Sequence, residues 1–282
     1  MTINLHAYGC GSPIRLPVIQ ALAKGCKADF FPNANPKYLG GDSIIWGLIR
    51  GADQLMQSTR TNGCNFYQVD NAYFGRNLFY RVTPNALQFI GLPREVLNNR
   101  HELILKLLGK NILPWNKSRN GPIVICPSSD MLYRFYGTTL DDWISEVKQE
   151  IQKHTDRPIA IRYKELSPKD DIDELIRQAW CVVTHVSTAA LDSLRMGVPV
   201  VTTGVCAASA LATPIRERET PILTDGRKAL FSLLANAQFT LEEMSSSNII
   251  DVISNLFAAY FNSSLVDDQR LWASNRYQQM NF

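Results

Sequence analysis

Short apolar runs alternate with amphipathic helical patterns twice along this chain of 282 residues. The runs that predict strands cover 3–8, 28–34, 65–70, 122–129, 158–164 and 181–184. The helical patterns cover 14–25, 41–63, 95–109, 140–155, 171–179, 229–237 and 248–261. Strands that alternate with helices form parallel sheets, because a parallel connection needs a crossover long enough for a helix. The sequence therefore predicts an α/β fold of two Rossmann-like domains, whose parallel sheets face a cleft.

A polar segment between the two series predicts where the domains divide. Residues 111–122, NILPWNKSRNGP, are rich in Pro, Asn, Gly and Ser, a composition typical of a linker. We therefore expect an N-terminal domain over 1–115 and a C-terminal domain over 120–260. Residues 261–282 form a tail that either packs back as a helix or frays.

Charge and cysteine content limit the classes of function. The net charge of +3 suits an anionic ligand but falls short of the dense basic stripe of a nucleic-acid-binding domain. The six cysteines form no CxxC pair, so the sequence predicts neither a zinc site nor a small disulfide framework. The acidic pairs at 141–142 and 170–171 are typical of helix starts, where carboxylates stabilise the helix dipole. We therefore expect no metal and no cofactor.

The amino terminus and the hydropathy pattern bear on localisation. The start, MTINLHAYGCGSP, lacks the basic flank and long apolar stretch of a signal peptide. No window approaches the roughly 18 apolar residues of a membrane span. Cysteines within apolar runs are typical of reduced core thiols. We therefore expect a soluble, cytoplasmic protein (the host cytoplasm if it is phage-encoded) with no membrane span.

Polar side chains follow three strands of the predicted second domain. They are Ser128 and Ser129, then Arg162 and Lys164, then His185, Ser187 and Thr188. The carboxyl ends of parallel strands lie at one edge of a sheet, where ligands bind. Ser187 and Thr188 also begin a helix, and the free N–H groups and partial positive charge of a helix start suit phosphate. The pattern predicts a diphosphate site, with Asp192 within reach of a ribose diol.

Each of these residues also has an ordinary structural interpretation. Ser187 would then be a helix N-cap, and Asp192 a solvated helix residue. His185 would be a buried core histidine whose nitrogens are satisfied within the protein. The convergence of three strand ends favours the binding interpretation for Ser187 and Asp192, whereas for His185 the two interpretations stay open.

The stretch 173–201, DELIRQAWCVVTHVSTAALDSLRMGVPVV, resembles the donor-binding motif of glycosyltransferases with the GT-B architecture. The resemblance covers about 122–240 and is strongest to the polysaccharide- and capsule-type branches. It implies that two Rossmann-like domains bind a nucleotide sugar between them. It assigns Ser187 and Thr188 to the donor diphosphate, His185 to the sugar–phosphate region and Asp192 to the ribose. Many families have Glu where this chain has the shorter Asp192.

Two features of the first domain are candidates for the acceptor side. The loop with Gly9, Gly11 and Ser12 lacks the third glycine of a dinucleotide fingerprint, so it predicts either a tight turn or close approach of a ligand to backbone. Asp70 ends the third strand, where a carboxylate facing the cleft suits a general base. It is alternatively an Asx-turn residue. Candidates for acceptor or phosphate contact beside it are Asn71, Arg76 and Arg81, although both arginines are equally compatible with an ordinary surface.

The expected reaction is metal-independent and inverting, with Asp70 as the base, and it uses a nucleotide-diphosphate sugar such as a UDP-sugar. The resemblance extends to compact phage enzymes that modify DNA, so the expected acceptor is either a glycan or a 5-hydroxymethylpyrimidine in DNA. A non-catalytic nucleotide-sugar-binding protein and a UDP-sugar epimerase of similar architecture are the alternatives.

Overall fold

The computed structural model describes residues 4–163 and 172–261, so Lys164 and the acidic pair at 170–171 lie outside the described residues. The strands are β1 Leu5–Tyr8, β2 Asp29–Phe31, β3 Asp42–Trp46, β4 Phe66–Asn71, β5 Tyr80–Pro84, β6 Ile123–Ile125, β7 Ile159–Ile161, β8 Cys181–Thr184, β9 Val200–Thr202 and β10 Gln238–Phe239. The helices are α1 Leu16–Cys26, α2 Ala52–Thr61, α3 Arg100–Leu107, α4 Asp130–Phe135, α5 Leu140–Gln152, α6 Ile172–Gln178, α7 Ala189–Arg195, α8 Arg227–Asn236, α9 Leu241–Met244 and α10 Ile249–Phe261. The fold is therefore mixed α/β.

The described chain divides into two compact units. The first unit contains two separate segments, the described chain up to Phe89 and the described chain from Leu234 onward. The second unit is the continuous segment Ile90–Leu233. The segment 111–122, predicted as a linker, lies inside the second unit, whereas the sequence predicted a division at 115–120.

The first unit is built on a six-stranded sheet of order β10-β5-β4-β3-β1-β2. The strands β2, β1, β3 and β4 are parallel, and β5 is antiparallel to both β4 and β10. Consecutive residues of the central strands enter different cores: Ala7 and Ile44 pack with α1, whereas Tyr8 and Ile45 pack with Leu55 of α2. Burial on both faces is typical of strands flanked by helices.

The helix predicted over 41–63 is wrong in its first part. Residues Asp42–Trp46 are β3, which pairs in parallel with β1 and β4, and the helix begins only at Ala52. Ile44 and Ile45 fit a helical spacing, but they face opposite sides of a sheet that is covered on both faces. A strand with two buried faces has consecutive apolar residues, and periodicity alone does not separate it from a helix.

The second unit is built on a four-stranded parallel sheet of order β7-β6-β8-β9. Ile123 and Val183 face a core with Trp143 of α5, and Val124 and Val182 face a core with Ile176 of α6. This parallel sheet confirms the α/β prediction for this half of the chain. It also places the carboxyl ends of β6, β7 and β8 at one edge.

The segment 111–122 forms neither helix nor strand, and it is fastened to the end of α7. The Leu113 N–H donates to the Arg195 carbonyl at 2.8 Å, and the Asn116 N–H donates to Gly197 at the same distance. Gly197 has a φ of +73°, and a Cβ there would collide with the Pro114 carbonyl. The contact therefore requires glycine at the turn that follows α7.

Candidate donor-side site

The carboxyl edge of the second sheet brings together most of the predicted donor residues. Ser128 follows β6, Arg162 follows β7, and Ser187 and Thr188 follow β8; all four are half-buried. Ser129 is exposed and precedes α4, and Asp192 lies on α7. The edge therefore carries hydroxyls and a guanidinium, and the helix that follows β8 carries a carboxylate. Their ligand roles stay predictions.

The turn between β8 and α7 is organised by hydroxyl groups of the protein itself. The Val186 N–H donates to Ser128 Oγ at 3.3 Å, the Ser187 N–H to Thr184 Oγ1 at 3.4 Å, and the Ala189 N–H to Ser187 Oγ at 3.3 Å. These bonds are long, so a stronger anionic acceptor can compete for the same donors. The N-cap residue of α7 is Thr188, and Ser187 Oγ, one residue earlier, accepts from the first N–H of the helix.

Asp192 carries a carboxylate that is close to two cations. Its Oδ1 lies 3.8 Å from Lys110 Nζ and 3.8 Å from Arg195 Nε, and 32% of the side chain is exposed. Both distances are longer than a hydrogen bond. Among residues 4–163 and 172–261, no donor is bound directly to either carboxylate oxygen of Asp192. Burial raises the pKa of the Asp192 carboxyl, and the charges of Lys110, Arg195 and Arg162 act in the opposite direction. The carboxylate is thus available to accept hydroxyl donors from a ligand.

Arg195 and Lys110 also lie close to a second acid, Asp173 of α6. Arg195 is nearly fully buried, and its Nη2 donates to Asp173 Oδ2 at 2.6 Å. Lys110 Nζ lies 3.9 Å from the same oxygen. Two acids and two bases therefore form a compact charged cluster beneath the donor edge, and sequence reasoning identified only Asp192 within it.

Arg162 is close enough to the cluster to act on it electrostatically. Its charge lowers the pKa of both Asp192 and the Cys126 thiol. Burial is the larger effect on Cys126 and raises the pKa of that thiol to about 12. Cys126 is therefore a neutral core residue at the end of β6, whereas Arg162 supplies positive charge to the edge.

His185 lies in an aromatic enclosure at the end of β8 and is 6% exposed. Its ring centroid is 4.9 Å from that of Tyr136, 5.6 Å from Tyr133 and 6.2 Å from Trp143. His185 Nδ1 is 2.9 Å from Thr203 Oγ1, which also accepts a 2.8 Å bond from Trp143 Nε1. These contacts fix the orientation of the His185 ring. The contact with Thr203 could not be predicted from the sequence, because Thr203 follows β9 and His185 follows β8.

Asp70 and its neighbours lie at the corresponding edge of the first sheet. Asp70 Oδ2 accepts a 2.9 Å bond from Arg81 Nη2, and Oδ1 accepts a 2.7 Å bond from the Asn71 N–H. Arg81 is buried and lies with Cζ 5.3 Å from the centre of the Tyr73 ring. Asp70 is therefore held by an ion pair across two strands, and Arg81 is a buried partner rather than a surface arginine.

The other acceptor-side candidates have different surroundings. Arg76 is exposed in the β4–β5 connection. Gly11 has a φ of +61°, and a Cβ there would lie 2.5 Å from the Ala34 Cβ; a Cβ on Gly9 would collide with Leu16. The Ser12 carbonyl accepts from the Arg15 N–H at 2.9 Å. Gly11 is thus required by the protein's own packing, whereas the close contact at Gly9 is with the end of a side chain.

Arg15 is a residue at this edge that sequence reasoning missed. Its guanidinium lies 5.2 Å from the centre of the Trp46 ring at the end of β3. Its Nη1 donates to Asn77 Oδ1 at 3.4 Å. Arg15 therefore connects the loops that follow β1 and β4, and no motif in the sequence links these positions.

Searches for a metal cluster and for a membrane span cover the described residues only. Within 4–163 and 172–261, no group of three or more His, Cys, Asp or Glu side chains is arranged to hold a metal ion. In the same part of the chain, no helix has both the length and the apolar character needed to cross a bilayer. All six cysteines are free thiols.

The fold is similar to that of two solved glycosyltransferase structures. One is Thermosulfurimonas dismutans KpsC, beta Kdo 2,4 transferase, with a TM-score of 0.54 and 15% identity over 91% of this chain and 98% of that chain. The other is Thermosulfurimonas dismutans KpsC, beta Kdo 2,7 transferase, with a TM-score of 0.51 and 14% identity over 89% and 99%. No family model and no curated protein sequence matches the chain. At these identities the likeness shows the fold alone.

Proposed function

We propose that this protein is a glycosyltransferase that transfers a sugar from a nucleotide-activated donor to a hydroxyl of a glycan. The observation that carries the proposal is Asp192, a carboxylate at a ligand-binding edge whose oxygens have nearby cations but no directly bound donor among the described residues. A ribose or sugar diol supplies two hydroxyl donors to such an acceptor. The fold shared with two Kdo transferases supports the same class of reaction.

The donor is expected to bind at the carboxyl edge of the second sheet, in a GT-B arrangement of the two units. Arg162 supplies positive charge there, and the N–H groups of Val186, Ser187 and Ala189 donate bonds of 3.3–3.4 Å that phosphate oxygens can replace. We expect this set to stabilise the departing phosphate, which is the main electrostatic demand of the reaction. No step needs a metal. A UDP-sugar is the first donor to test, followed by nucleotide-activated Kdo, the sugar named for both similar structures.

The acceptor hydroxyl must lose its proton as the sugar is transferred. Asp70 is the proposed base, and direct attack assisted by one carboxylate inverts the anomeric centre. Both oxygens of Asp70 already accept bonds from Arg81 and Asn71. The acceptor hydroxyl would therefore bind a carboxylate that is already oriented. A glycan acceptor agrees with the activity named for the similar structures, whereas no observation favours hydroxymethylated DNA.

A thermal-shift panel tests the donor assignment. Uridine-, guanosine-, cytidine- and adenosine-diphosphate sugars and nucleotide-activated Kdo are compared, because a ligand that binds only the folded state raises the melting temperature. We expect one nucleotide to stand out and D192N to reduce its shift. A panel without any shift contradicts the proposal.

A product assay with the selected donor then separates the reaction classes. Transfer to a capsule-type oligosaccharide supports the proposal, whereas interconversion of two nucleotide sugars indicates an epimerase. Binding without turnover on any acceptor indicates a non-catalytic protein. A DNA acceptor would give affinity that falls steeply with salt concentration.

A further inference from the structure

We propose that Lys110 is a positioning residue, which holds the Asp192 carboxylate as an anionic acceptor for the donor hydroxyls. This rests on the proposed function above, because it concerns how the donor is recognised. Lys110 follows α3 and is distant in sequence from every donor-edge motif. The fold brings its ammonium to within 3.8 Å of Asp192 and 3.9 Å of Asp173.

The distances show that Lys110 neutralises charge on Asp192 without forming a hydrogen bond to it. Lys110 Nζ is close to both carboxylates but beyond hydrogen-bond distance of either, so it acts as a shared positive charge. Arg195 is committed to Asp173 at 2.6 Å, and only its Nε approaches Asp192, at 3.8 Å. Lys110 thus offsets part of the cost that burial imposes on the Asp192 anion, while the carboxylate lone pairs stay available. A lysine bonded directly to Asp192 would occupy one of the acceptor sites open to a ligand.

The charged groups around Asp192 act in opposing directions. Burial and the like charge of Asp173 raise the pKa of Asp192, whereas Lys110, Arg195 and Arg162 lower it. The Cys126 thiol also interacts electrostatically with this carboxylate, and it is neutral because burial raises its pKa to about 12. Lys110 is first among the lowering charges, and 37% of its side chain is exposed. Its charge can therefore be removed without opening the core.

The first experiment follows Asp192 without any donor. Its carboxyl carbon is titrated by ¹³C NMR in the wild type, K110M, K110R and K106M, and D192N assigns the signal. We expect the midpoint to rise in K110M, with K110R close to the wild type. Lys106 is an exposed lysine one turn earlier on α3 and serves as the matched control. An unchanged midpoint in K110M overturns the inference and leaves the proposed function intact.

The second experiment measures donor affinity by calorimetry as a function of pH. We expect K110M to bind the donor more weakly than the wild type as the pH is lowered, because without Lys110 the Asp192 carboxylate becomes protonated at a higher pH. In the D192N background, K110M should have no further effect, because the carboxylate it acts on is gone. Equal affinity of K110M and the wild type at every pH overturns the inference alone. Failure of the wild type to bind any nucleotide sugar overturns the proposed function, and the role of Lys110 with it.

Discussion

Asp70 and Arg81 face each other directly across the antiparallel pair β4–β5, with Arg81 Nη2 2.9 Å from Asp70 Oδ2. Arg81 is the more buried partner, with 8% of its side chain exposed against 27% for Asp70. A buried arginine fixes the orientation of the carboxylate that it binds. The proposed base is therefore held by the sheet itself rather than by a loop.

The variant D70N tests the role of this carboxylate. We expect kcat to fall by about 10²–10⁴-fold, the usual contribution of a general base, while the dissociation constant of the donor is unchanged. The amide oxygen of Asn can still accept from Arg81, so the fold should persist. Initial rates at saturating substrates and calorimetric donor binding provide the two measurements. Wild-type turnover in D70N would remove Asp70 from the mechanism, and R81K, which keeps the positive charge, is the companion variant.

The variant D192N should change stability and binding in opposite directions. Because burial raises the pKa of Asp192, the folded protein binds this proton more tightly than the unfolded chain does. Protonation of Asp192 therefore stabilises the fold at low pH, and this stabilisation is lost as the pH rises through the raised pKa. D192N removes that penalty. We expect its melting temperature to equal or exceed that of the wild type near neutral pH, with the gap closing below about pH 4. Lower stability of D192N at neutral pH, measured by thermal unfolding, would contradict this sign.

Arg218 is fully buried and binds two carbonyl groups of the second unit. Its Nη2 donates to the Ile151 carbonyl at 2.8 Å, and its Nη1 donates to that of Ile215. Hydrogen bonds from charged groups contribute about 1.5–3 kcal/mol, so we expect R218M to lower the free energy of unfolding by about that amount. The exposed Arg216 provides the control R216M. Equal urea midpoints for the two variants would show that Arg218 does not stabilise the end of α5.

The glycine loop after β1 offers a test of packing against function. We expect G11A to lose about 1–3 kcal/mol of unfolding free energy, because φ is +61° and the new Cβ would meet Ala34. Gly63 has a φ of +71° with nothing within 4 Å, so G63A isolates the backbone cost. The difference between the two variants measures the crowding. If G11A and G63A are equally stable and only G11A loses turnover, the loop serves the ligand rather than the fold.

The sequence was most informative where local pattern and strand ends coincide. The runs around Ile123–Ile125 and Cys181–Thr184 are strands in one parallel sheet, and this topology alone places Ser128, Arg162 and Ser187 at one edge. The pattern was misleading at Asp42–Trp46, because a strand that is buried on both faces has consecutive apolar residues, which also fit the spacing of a helix. The roles assigned to the edge residues stay predictions.

Features formed by residues far apart in the sequence were not predictable. Lys110 reaches Asp192 only because the chain after α3 returns to the end of α7, where Leu113 binds Arg195. Thr203 reaches His185 because β9 is the neighbour of β8. Neither contact leaves a spacing or composition signal, since strand order and loop docking are decided by tertiary packing.

The return of the chain to the first unit has a consequence for synthesis on the ribosome. The edge strand β10 pairs with β5, and α9 and α10 pack against α1, yet all three follow Leu233. When Phe89 leaves the exit tunnel, the first sheet still lacks an edge and one of its helical covers. The continuous segment Ile90–Leu233 can complete its own core earlier, since domains fold as units during translation. The first 89 residues are therefore synthesised first, yet their sheet is complete only after β10 has been made.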